Sequence, residues 1–176
     1  MAENDDFYTN EYLASHDIDW FCMIKRFPIH AASNGGNIPD FIKNNKPNNV
    51  EYQKYVYGLD HKYSLDEIYI NTEHLDRLFH DTEKYTPYEI LEMKRNYLRT
   101  FVDMALRGFC SFDRCNYENY NIVGDSFEDN QYILVARPIN CSHYHDRYND
   151  IIEHIKTYCD SYKIVNPSLQ NLIVRL

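Results

Sequence analysis

Apolar runs long enough to cross a bilayer are missing from this chain. No unbroken run exceeds the five residues Tyr132 to Ala136, against the roughly 20 that a spanning helix needs. The expectation is no membrane association. A secretory leader opens basic and then turns apolar, whereas Met1, Ala2, Glu3, Asn4, Asp5 and Asp6 are polar or acidic, so nothing in the sequence directs export. The five cysteines, Cys22, Cys110, Cys115, Cys141 and Cys159, are an odd number without a CxxC pair. A secreted disulfide framework favours an even, regularly spaced set, and reduced core thiols in a cytoplasmic protein are expected instead.

Glycine is also scarce, and its placement excludes two nucleotide-binding patterns. Neither the P-loop spacing nor the three-glycine dinucleotide fingerprint is present. A basic stripe able to displace phosphate counterions is absent too, which argues against nucleic acid as a partner. At 176 residues one core is the default, and a chain of this length buries enough surface to fold without a metal or disulfide. Stability therefore implies no cofactor, and none is expected.

What the chain has is acid and tyrosine. Its formal charge is -9, and the acids are clustered: Glu3, Asp5, Asp6, Glu11, Asp17 and Asp19 fall in residues 1–19 without a Lys or Arg. A second cluster lies in residues 108–130. Seventeen tyrosines and nine phenylalanines supply side chains that serve as core or as recognition surface, because tyrosine offers wide contact area and a polar tip.

Periodicity organises the rest. Residues 1–17 lack a pattern and are expected to be poorly ordered, although Phe7, Tyr8, Tyr12 and Leu13 are spaced to dock as a short turn. Ile18 to Ile24 alternates as a strand, Lys25 and Arg26 form a turn, and Phe27 to Ser33 returns, with Pro28 placing it at a sheet edge. Asn49 is a candidate N-cap for a short helix using Tyr52, Tyr55, Val56 and Leu59. Ser64 to Asn71 is ambiguous, since Ser64 and Glu67 make a capping box while Ile68, Tyr69 and Ile70 favour a strand. Thr72 then caps a short helix with Leu75, Leu78 and Phe79. Thr86, Pro87 and Glu89 open a long amphipathic helix that Gly108 closes. Strands follow at Phe109 to Asp113 and Gln131 to Arg137, then a second long helix at about 143–161 and short strands near Lys163 to Val165 and Leu172 to Leu176. The expected fold is α+β: an antiparallel or mixed sheet of about 4–6 strands packed against two long helices, about 87–107 and 143–161, forming a single domain over 18–176.

Several constellations suggest chemistry. His143, His145 and Asp146 are metal-ligand types at a helix entry, but the spacing of a His-x-His-x-Asp-His hydrolase motif fails at Arg147 and Tyr148. Cys110 and Cys115 lack a base in local sequence and read as core thiols. Ser33, Asn34, Gly35 and Gly36 read as a tight turn that, beside His30, also forms a polar pocket edge where a small ligand approaches backbone. Arg95, Arg99 and Arg107, interspersed with Glu92 and Asp103, read as a salt-bridged wet face. Between the strands at 109–113 and 131–137 lies a long polar connection, and loops of that length often carry function. Its Tyr117, Tyr120, Asp125, Phe127, Glu128 and Asp129 lack calcium-loop spacing but make an acidic, aromatic recognition surface.

The leading functional expectation is a small acidic, non-enzymatic interaction protein of the inhibitor, immunity or adaptor type, presenting that loop to a protein partner with a basic surface. The alternatives are a small metal-dependent hydrolase using His143, His145 and Asp146, and a small-ligand binding module at the Ser33–Asn37 turn.

Overall fold

The structure, a computed structural model, describes residues 6–24, 27–36, 38–80, 83–114 and 132–140 together with Ile151 and Ile155. In chain order the elements are α1 (Asn10–Ser15), β1 (Asp19–Ile24), β2 (Phe27–Ala32), α2 (Asp40–Lys43), α3 (Lys46–Tyr57), β3 (Ile68–Ile70), α4 (Thr72–Leu78), α5 (Pro87–Arg107), β4 (Cys110–Arg114) and β5 (Tyr132–Pro138). The fold is α+β, with a five-stranded mixed sheet in the order β1-β2-β4-β5-β3. Only the β2–β4 junction is parallel; the other three are antiparallel. The expected helix at about 143–161 and the two C-terminal strands fall outside the described residues, except that Ile151 is helical and both Ile151 and Ile155 are buried.

Helix α5 forms for local reasons. Thr86 accepts from the backbone N–H of Glu89, the Glu89 carboxylate accepts from the Thr86 N–H, and Pro87 fills a first-turn position. At the other end Gly108 takes φ 108, ψ 10, a left-handed conformation that an L side chain resists. Gly108→Ala should cost about 1–2 kcal/mol in a urea unfolding titration. The apolar stripe of α5 is buried only along its C-terminal half, through Phe101, Met104 and Ala105; Tyr88 and Leu91, near its start, are exposed. Its outer face carries the expected salt bridges, Arg95 to Glu92 at 3.1 Å and Arg107 to Asp103 at 3.1 Å.

Three expectations need correction. Strand β2 is interior, between β1 and β4, and not an edge. Pro28 is tolerated there because pairing with β4 begins one residue later, at Ile29↔Cys110, so the missing N–H falls at the end of that ladder. Helix α3 starts earlier than expected: Asn45 is the flanking residue, Pro47 sits in the first turn, and Asn49 is a buried interior residue. Asn49 is used inside because its amide donates to Tyr8 Oη at 3.1 Å and to the Asp19 carbonyl at 3.0 Å. Asn71, not Thr72, caps α4, accepting from the His74 N–H at 3.1 Å.

In the N-terminal segment residues 10–15 fold as α1. Tyr8 and Leu13 are buried, and main-chain hydrogen bonds from Tyr8 to Lys43 and from Lys46 to Asp6 tie the segment down. The ambiguity at 64–71 resolves as both readings in sequence: Ser64 and Glu67 make the capping box of a single 3₁₀ turn, and Ile68–Ile70 follows as β3.

Register places the side chains. Phe21 pairs with His30, His30 with Ser111, and Ala32 with Asp113, so Asp19, Phe21, His30, Ser111 and Asp113 share one face of the sheet. Phe101 of α5 packs on that face, 6.0 Å from the His30 ring. The opposite face carries Trp20, Phe112, Leu134 and Tyr132, with Trp20 edge-on to Tyr132 at 5.3 Å and to Phe41 of α2 at 6.3 Å. Both faces of the central strands are therefore buried, and a polar residue on either face has to find partners inside.

Candidate functional site

Two lines of hydrogen bonds cross the polar face. In the first, the Tyr57 hydroxyl donates to Asp19 Oδ2 at 2.6 Å, Asp19 Oδ1 lies 3.0 Å from His30 Nε2, and His30 Nδ1 lies 2.6 Å from Ser111 Oγ. A carboxylate only accepts, so Nε2 carries a proton, and in the neutral ring Nδ1 then accepts from the Ser111 hydroxyl. Burial raises the Asp19 carboxyl, but the hydrogen bonds from His30 and Tyr57 outweigh it and hold the group below the usual aspartate value. The Tyr57 hydroxyl is raised in turn, first by burial and then by its bond to the Asp19 carboxylate. The Asp19 carbonyl also accepts from Gln53 Nε2 at 2.6 Å, so α3 grips β1 at the point where the line begins.

In the second line, Tyr97 Oη lies 2.8 Å from Asp113 Oδ2 and 2.6 Å from His74 Nε2. Burial lifts the Asp113 carboxyl to about 7, opposed by the Tyr97 hydrogen bond and helped by the charges of Asp17 and Asp19. Burial pushes His74 down to about 4. With Asp113 ionised, Tyr97 donates to it and accepts from His74 Nε2–H. With Asp113 protonated, Tyr97 accepts from it and turns its own hydroxyl toward His74 Nε2.

The first line has the hydrogen-bond polarity of a serine nucleophile, a histidine base and an orienting carboxylate. Acyl transfer also requires a carbonyl about 3 Å from the serine oxygen, and Ser111 and His30 both have 0% exposure. In the closed fold the array acts as core hydrogen bonding.

The structure separates the residues of the expected pocket edge. His30 points into the core, away from the turn. Ser33 is buried; its hydroxyl accepts from the Ile18 N–H at 2.7 Å and donates to Asp17 Oδ1 at 3.2 Å. Asn34 and Gly35 have φ 47 and 65, and the Gly36 N–H closes the turn on the Ser33 carbonyl. The turn docks on the end of β4, where the Asn34 amide donates to the Arg114 carbonyl at 3.3 Å. Tyr117, Tyr120, Asp125, Phe127, Glu128 and Asp129, like His143, His145 and Asp146, lie outside the described residues. Among the described residues no group of three or more His, Cys, Asp or Glu is placed to hold a metal ion, and no helix is long and apolar enough to cross a membrane. Cys22 and Cys110 are buried, as core thiols are.

Asp19, Ser111 and Asp113 escaped the sequence reading. Their signal was the occurrence of a polar residue in each of two strands that also carry large apolar ones, but the 81-residue separation of His30 and Ser111 leaves nothing local to join them. Comparison of the chain with protein families, with curated proteins and with solved structures finds no match in any of the three.

Proposed function

We propose that the protein is a non-enzymatic interaction module whose acidic, tyrosine-rich segment between β4 and β5 engages a protein partner with a basic surface. One observation supports the reading above the others. The residues that flank the segment, Arg114 and Tyr132, pair across the ladder, and the Ser33–Gly36 turn and Asp17 carboxylate gather at the same end. Both attachment points of the segment are thus set in rigid sheet beside a second acidic stretch. A scaffold that fixes the ends of a recognition segment lowers the entropy lost on binding, and acids grouped at one end steer a basic partner.

The test is capture from the native cell, identification of the retained protein and rebinding in purified form. Replacing Tyr117, Tyr120, Glu128 and Asp129 together by alanine should weaken rebinding at least about 30-fold, the loss of a single hot-spot residue of about 2 kcal/mol, with Tm unchanged. Equal affinity of the fourfold variant overturns the reading.

A further inference from the structure

Arg114 closes β4 on the face that carries Phe112 and Tyr132. Its guanidinium lies against the backbone of Gly36, so closely that a methyl group at Gly36 would overlap Nη1 and Cζ. A side chain there would displace the guanidinium from this position. Arg114 Nε is buried without a hydrogen-bond partner, and no ion pair among the described residues uses this side chain. Acids at this end are committed elsewhere: Asp17 Oδ1 accepts from the Ser33 hydroxyl and the Asn34 N–H, and Asp113 Oδ2 bonds Tyr97.

A buried donor left unmatched costs about 1–3 kcal/mol, and more when it is charged. Arginine cannot shed that charge, and its planar fork matches two oxygens of one oxyanion. We propose that Arg114, seated over Gly36 beside the Ser33–Gly36 turn, anchors a binding site for an oxyanion, the phosphate or carboxylate group of a ligand. None of the residues named in it belongs to the 115–131 segment. It also explains why the turn is pinned to the strand: the Asn34 amide, bonded to the Arg114 carbonyl, holds Gly36 in place beneath the guanidinium.

The full-length protein is titrated with inorganic phosphate and, separately, with acetate, at constant ionic strength set with sodium chloride. Tm and the Arg114 Nε–Hε cross-peak in ¹H–¹⁵N spectra are followed. A saturable shift of the cross-peak with either anion, accompanied by a rise in Tm, is expected. Phosphate alone acting marks a phosphoryl ligand; acetate acting as well marks a carboxylate. Arg114→Gln and Gly36→Ala should lose the response, Arg114→Lys should bind at least about tenfold more weakly because it lacks the fork, and Arg99→Gln, exposed on α5, should keep it. An unmoved Arg114 cross-peak with both anions, or an equal Tm response in Arg114→Gln, overturns the proposal. The cross-peak reads the wild-type protein directly, so the result stands even where a variant fails to fold.

Discussion

Between pH 4 and pH 7 the Asp113→Asn variant should gain on the order of 4 kcal/mol in stability relative to the wild-type protein, since burial raises this carboxyl from 3.8 to about 7 and each unit corresponds to about 1.4 kcal/mol. The folded state holds a proton that the unfolded chain releases near pH 3.8. The Asp113 contribution is therefore fully present below that pH and is lost as the pH rises through 7. His74 acts in the opposite sense. Its folded value is depressed from 6.5 to about 4, so its contribution is present above pH 6.5 and is lost as the pH falls through 4. His74→Leu should accordingly gain on the wild type toward acid, by on the order of 3 kcal/mol. Across the shared window the two slopes oppose one another, and the wild type shows little of either.

Urea titrations from pH 4 to 8 at fixed ionic strength, compared as differences from wild type, remove the background of the other acids. The asparagine keeps a carbonyl for the Tyr97 hydroxyl, which confines the change to the charge. Difference profiles that are flat for both variants would show that neither proton is coupled to folding.

Helix α5 could be read almost to the residue, because everything that defines its ends is local. Thr86 and Glu89 satisfy each other's backbone within one turn, and Gly108 supplies the one backbone conformation that other residues resist. The capping box at Ser64 and the strand at Ile68 were equally visible, and both signals were true of adjacent residues. Pro28 misled because its cost depends on how far the neighbouring strand extends, a long-range fact. The alternation of β1 was limited in a different way. It showed a strand but not what covers each face, and α3 and α5 cover the face that carries Asp19 and its neighbour His30. Asn49 illustrates the same limit: asparagine before a helix is a good cap, but here it lies inside α3 with its amide on Tyr8 and the Asp19 carbonyl, and Asn45 flanks the helix without a side-chain cap. The candidate site is thus legible only after the sheet order is known.

His30→Ala should destabilise the fold by on the order of 3–5 kcal/mol, combining the cavity left by a fully buried ring with the stranding of its partners. The ring packs 5.4 Å from Phe21 and 6.0 Å from Phe101, so the lost contacts come from both the sheet and α5. The partners differ in what they lose. Asp19 has 23% side-chain exposure and can recover a water, whereas Ser111 has none and is left with an unmatched hydroxyl. Ser111→Ala alone should cost about 1–3 kcal/mol by stranding Nδ1 in the same way. The double variant should cost less than the sum of the two, since each substitution removes the group the other strands. A nucleophilic role makes different demands: a fluorophosphonate probe would label Ser111, the label would vanish in His30→Ala, and stability would barely change. A core array has to register in the unfolding titration and leave the probe unreacted, because the burial that makes these hydrogen bonds necessary is the same burial that keeps a substrate carbonyl away from Ser111 Oγ.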